Sequence, residues 1–212
     1  KDVLDKKEIN ELFNGSFFKF PINEITFSSE NLFSFEIDKK FKFQNLKIDS
    51  KINIDELILK NEFNLDKIFP NIKKEIVFTN HKIDFKYNKK IWNAEGLGEF
   101  LSNEKDKIEY NLNKNGNNIS FRTIFKINES PFKIDSLHYQ KKDKSNLIIT
   151  ANGKNDLKDK FYFEKITLLE NDNKIFINEL SLSNNFEIKE LKKILFDFLD
   201  RDKFRNNISI TK

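Results

Sequence analysis

A chain of 212 residues that is 38% hydrophobic and 34% charged is long enough to bury a core and too well patterned to be disordered. Its net charge of +4 comes from 38 basic and 34 acidic residues whose signs are interleaved, which reads as a solvated outer face rather than a nucleic-acid or anionic-lipid patch. Zero Cys excludes disulfides, thiolate metal sites and cysteine nucleophiles, and no apolar run approaches the ~20 residues of a membrane helix.

Position 1 is Lys and Met is absent throughout, so the chain is expected to be an internal piece of a longer polypeptide. The wealth of Lys, Asn, Ile and Phe suggests an AT-rich genome. The 24 Phe are unusual, and each is worth roughly 1.5–3 kcal/mol when buried. Most must be covered by protein or by something apolar.

Residues 3–14 carry Val3, Leu4, Ile9, Leu12 and Phe13 at helical spacing, which suggests a short helix or an extended lead-in. From Phe17 the pattern turns to period two, the signature of strands with one apolar and one wet face. Phe33, Phe35, Ile37, Phe41 and Phe43 share one parity, whereas Leu46, Ile48, Ile52 and Ile54 take the other. Leu57 and Leu59 switch again, and each switch implies a turn or a bulge. Residues 64–74 break the alternation and are expected to form a helical turn or a loop.

Strands resume at 75–79, at 83–87 (Ile83, Phe85, Tyr87) and at 91–101. Ile108, Tyr110 and Leu112 run into an Asn-Gly turn and back through Ile119, Phe121, Thr123 and Phe125, the clearest hairpin of the chain. Residues 147–151 are expected to end at Asn152-Gly153. A second hairpin joins 161–169 to 174–182, the latter holding Ile175 and Ile177. Residues 188–199 fit a helix or a strand equally well. No linker divides the chain, so residues 1–212 read as one mainly β unit: a meander, sandwich, barrel or open groove.

Chemistry-bearing motifs are sparse. His81 and His138 have no second ligand at metal spacing and read as surface residues, His138 on the polar parity of a strand. Carboxylates such as Asp55, Glu56, Asp197, Asp200 and Asp202 are too common for any pair to stand out, and no EF-hand Gly or bidentate Glu accompanies them. Gly96-Leu97-Gly98 lacks the third Gly of a phosphate cradle and reads as a bulge or tight bend. In Phe41-Lys42-Phe43 alternation places cations and rings on opposite faces, which argues against base stacking. The pattern suits a surface better than a reaction: no enzyme, no cofactor, no metal and no nucleic acid are expected.

Several stretches resemble a known family. Pro131-Phe132-Lys133-Ile134-Asp135-Ser136-Leu137-His138-Tyr139 leads into Leu147-Ile148-Ile149-Thr150-Ala151-Asn152-Gly153. Ile166-Thr167-Leu168 follows, then Ile175-Phe176-Ile177-Asn178-Glu179-Leu180-Ser181-Leu182-Ser183 and Asn206-Asn207-Ile208-Ser209-Ile210. This succession resembles the repetitive β-rich region of bacterial AsmA-like envelope proteins of the YhdP type, while residues 17–130 match in texture only.

The resemblance implies a long, curved, largely antiparallel sheet forming an open, taco-shaped groove with few short helices. It implies an inner-membrane anchor outside this segment, a periplasmic location, and a role in moving phospholipid between inner and outer membranes. The expected partners are phospholipid acyl chains. The candidate lining residues are Phe33, Phe35, Ile37, Phe41, Phe43, Ile83, Phe85, Phe121, Phe125, Ile175 and Ile177. The rival expectation is a closed sandwich or barrel acting as a structural or small apolar ligand-binding module.

Overall fold

Residues that alternate in sequence alternate across a sheet, and here the alternation is hydrogen-bonded almost end to end. The computed structural model describes residues 2–5, 22–62, 64–116, 118–155, 160–183 and 187–211. Twelve strands form one antiparallel sheet. They are β1 (Asp2–Asp5), β2 (Ile22–Ile37), β3 (Phe43–Lys60), β4 (Glu75–Asn88), β5 (Ile91–Phe100), β6 (Asn103–Asn115), β7 (Asn118–Ile127), β10 (Leu147–Asn155), β11 (Lys160–Glu170), β12 (Asn173–Ser183), β13 (Ile188–Leu199) and β14 (Arg205–Thr211). Sequence neighbours pair throughout, with β7 next to β10. The insertion between those two holds a separate pair, β8 (Lys133–Ile134) and β9 (Tyr139–Gln140).

Directly opposed residues share a face, so the register sorts the side chains. One row runs Ile52, Ile83, Gly96, Tyr110, Thr123 and Ala151 across β3 to β10, then Ile166, Ile177, Ile194 and Ile210 across β11 to β14. The row one residue away runs Lys51, Asp84, Glu95, Asn111, Arg122 and Asn152, then Lys165, Asn178, Lys193 and Thr211. The first row defines an apolar inner face and the second a polar outer one. The outer face keeps some apolar members, among them the exposed Leu97, Ile148 and Leu169.

The sheet bends toward its inner face. Four ring contacts of 5.1, 5.2, 6.2 and 5.6 Å lead from Phe100 on β5 through Phe69, Phe132 and Tyr139 to Phe198 on β13. Those end rings thus lie at most about 22 Å apart, whereas six spacings of ~4.8 Å would hold their strands about 29 Å apart in a flat sheet. Among the described residues the sheet does not close into a barrel: β1 and β14 are its two edges. This overturns the rival expectation of a closed barrel.

Other expectations are corrected locally. Asp2–Asp5 pairs with β2 as a strand, the extended alternative to the short helix read over 3–14; residues 6–14 lie outside the described residues. Residues 188–199 are strand, because Ile194 and Phe196 take their places in the inner row beside Ile177 and Ile175. Strand β10 does not end at Asn152-Gly153. It continues to Asn155 while β11 bulges opposite it, and the close approach needs glycine because a Cβ on Gly153 would sit 2.3 Å from the Tyr162 carbonyl oxygen. His138 caps a 3-10 turn over Asp135–Leu137 at φ 50 rather than lying in a strand. The parity switches near 45 and 56 are bulges within the single long strand β3, one at Asn45 with φ 51, the other opposite Thr26 and Phe27. Residues 61–74 hold a 3-10 turn at Leu65–Lys67.

An apolar inner face capped at one end

The inner face is covered at one end of the strands. Two insertions fold over it, residues 61–74 between β3 and β4 and residues 128–146 between β7 and β10. They meet where Lys133 N–H donates to the Ile68 carbonyl at 2.9 Å, and the second reaches the β13–β14 turn where Arg201 N–H donates to the His138 carbonyl at 3.0 Å. Phe69, Ile72, Phe132 and Tyr139 from this cap pack on Phe100, Ile127, Leu147, Leu168, Ile175 and Phe198 of the sheet.

Two buried carboxylates lock the cap down. Asp106 accepts the N–H groups of Asn128, Glu129 and Ser130 at 2.6, 2.9 and 2.9 Å, holding the start of the insertion. Glu170 accepts from Tyr139 Oη and Lys142 N at 2.7 Å each, from Asn173 Nδ2 at 3.0 Å, and from Ser145 Oγ. Burial pushes the Glu170 carboxyl up, but these donors together outweigh it and hold it below its ordinary 4.5. Burial and that carboxylate push the Tyr139 phenol strongly upward. Both carboxylates are fully buried, and the donors around them satisfy charges that would otherwise be very costly.

Beyond the cap the inner face is half-buried and apolar. Ile83, Phe85, Phe121 and Ile177 lie on it, open to solvent on one side. Trp92 beside Phe85 (6.1 Å between ring centroids) and Phe163 beside Phe121 (5.4 Å) extend it. Phe163 reaches the inner face through the bulge opposite Gly153, a register change invisible in the local alternation.

Of the remaining candidates, Ile175 is buried under the cap and Phe125 packs against that core, so neither lines the open part. Phe33 stands in the same row as Ile48 and Tyr87, and Phe35 and Ile37 continue its parity beyond the last β3–β4 pair. Phe41 sits in the β2–β3 turn at φ 58 and 87% exposed, so it lines nothing. Phe43 opens β3 opposite Ile37, and its side chain lies outside the described residues.

The main polar intrusion on the inner face is self-contained. His81 is buried, contrary to its reading as a surface residue. Its Nε2 lies 3.1 Å from the Glu99 carbonyl, so Nε2 carries the proton and Nδ1 faces Tyr110 Oη at 3.4 Å as acceptor. Burial pushes His81 below 6.5, against the opposing pull of the Glu99 carbonyl and carboxylate, and burial pushes Tyr110 up to about 12. Both rings lie over glycines. A Cβ on Gly98 would fall 2.0 Å from His81 Cδ2, and one on Gly96 would fall 2.2 Å from Tyr110 Cζ. Gly96 and Gly98 thus leave room for two rings, and Gly98 lies opposite the bulge between Thr79 and Lys82, as its reading as a bulge site expected.

Among the described residues no group of three His, Cys, Asp or Glu could hold a metal ion, and no helix is long and apolar enough to cross a membrane. No family model, curated protein or solved structure matches the chain.

Proposed function

We propose that the chain is a segment of a periplasmic lipid-transfer protein, anchored in the inner membrane by a part outside this segment. Its inner face carries phospholipid acyl chains between inner and outer membranes. The observation that carries this reading is a largely apolar row that runs across ten strands of a bent sheet whose edges do not meet. Each CH₂ shielded there is worth about 0.8 kcal/mol. The contacts are non-directional, because His81 and Tyr110 already face one another. Such a surface holds an acyl chain without fixing its position. The polar outer row keeps the opposite face wet.

The test is expression in bacteria followed by native mass spectrometry and lipid extraction. Phospholipid should co-purify, and a charge at Phe121 or Ile177 should abolish it. A tightly packed lipid-free chain, or unchanged lipid in both variants, would sink the proposal.

A further inference from the structure

At the end of the strands opposite the cap, two neighbouring turns carry an excess of lysines. The β2–β3 turn carries Lys39, Lys40 and Lys42, and the β4–β5 turn carries Lys89 and Lys90. Among the described residues none of these five lysines has an ion-pair partner. The acids nearby are occupied internally. Asp38 accepts from Lys40 N, Lys42 N and Gln44 Nε2 at 2.8–2.9 Å, and Glu36 accepts from Asn45 Nδ2 at 2.6 Å. At the capped end Lys133 and Arg201 pair with Asp135, Lys105 with Glu129 and Arg205 with Asp197.

The same turns carry apolar side chains. The β2–β3 hairpin overhangs the last β3–β4 pair, Lys47 with Asn88, by about four residues or ~13 Å. Ile37 and Phe41 on the overhang and Ile91 beside the second turn are 56%, 87% and 44% exposed. Phe41 takes a left-handed φ of 58 that costs a bulky L-residue stability, so its ring is presented to solvent at the expense of the fold.

We infer that this rim docks on an anionic lipid bilayer, the Phe41 tip entering among the headgroups and the lysines facing lipid phosphates. Apolar and aromatic side chains between cations match such an interface, which offers apolar depth beneath negative charge. A second copy of the chain is a poor fit, because it would set lysine against lysine. The inference rests on the lipid-transfer reading only for what the docking would serve: it places the uncapped inner face next to a source or sink of lipid.

Co-flotation with vesicles tests it. The protein should bind vesicles of mixed phosphatidylcholine and phosphatidylglycerol, not phosphatidylcholine alone, and should be released by about 0.5 M salt. Replacing Lys39, Lys40 and Lys42 together with Glu should weaken binding at least about a hundred-fold, and Phe41→Ser about ten-fold. Both changes are on exposed turn positions, and an unaltered circular-dichroism melt confirms that the variants fold. Phe121→Asp, on the inner face, should keep vesicle binding while losing co-purified lipid. Equal binding to both vesicle types, undiminished binding of the lysine variant, loss of binding in folded Phe121→Asp, or a wild-type dimer that Phe41→Ser dissociates would each overturn the inference. Vesicle binding without co-purified lipid would leave the docking standing and remove the lipid-transfer reading.

Discussion

At the capped end of the sheet, Phe100, Ile127, Leu147 and Phe198 are almost wholly buried beneath Phe69, Phe132 and Tyr139. At the opposite rim the same residue types, Phe33, Ile37 and Phe41, are mostly exposed. The composition of the two ends is alike; what differs is whether a second layer exists. A single sheet can bury an apolar face only if something lies over it. Residues 61–74 and 128–146 supply that layer at one end, and no described segment supplies it at the other. The capped end carries the packing and polar networks that stabilise the fold, and the uncapped region remains available to a ligand.

The largest expected effect is on the cap. Glu170→Ala leaves the Tyr139 hydroxyl, the Lys142 N–H and the Asn173 amide without their acceptor, and should cost about 3–5 kcal/mol in urea unfolding. A loss below ~1 kcal/mol would show that the cap does not hold the sheet.

Next comes the middle of the inner face. Gly98→Ala should destabilise by roughly 2–4 kcal/mol, because its methyl must displace the His81 ring from its bond to Glu99. An unchanged urea midpoint would place His81 elsewhere.

Several groups are depressed, and the two buried ones, His81 and Glu170, dominate the pH dependence. His81 is depressed by burial, so its contribution is complete above the unfolded value of 6.5 and is lost as pH falls from there toward the folded value. Glu170 is also depressed, so its contribution is complete above 4.5 and is lost as pH falls further. Stability should therefore fall in two stages on acidification. His81→Gln should flatten the upper stage alone; persistence of that stage in the variant would assign it to another group.

The smallest effect belongs to the rim. Phe41→Gly should leave stability unchanged or raise it by up to ~1 kcal/mol, since glycine adopts φ 58 without the steric cost. A loss in thermal melts would mean that Phe41 packs on the fold after all.

The candidate site was legible where the alternation was clean. Ile83 and Phe85, and Phe121 opposite Leu112, keep strict period two and lie on the inner face. Phe163 was missed because it joins that face only through the β11 bulge opposite Gly153. Tyr110 shares the parity of Ile108 and Leu112, but its contact with His81 depends on pairing between β4, β5 and β6, which the local pattern does not report. Phe41 was misassigned because its parity continues across a turn, where alternation no longer reports a face.

The sequence by itself determined most of the strands, their two-faced character, the Asn-Gly hairpin at Gly116 (φ 61) and the sparseness of catalytic motifs. Those follow from backbone preference and period, which are local. Only the tertiary structure decided that the sheet bends without closing, that His81 is buried over Gly98, that residues 61–74 and 128–146 cap one end, and that the interleaved lysines of separate turns gather at the other. Each of these depends on register between segments far apart in the chain. Period two says which side of a strand a residue faces, but not what, if anything, lies across from it.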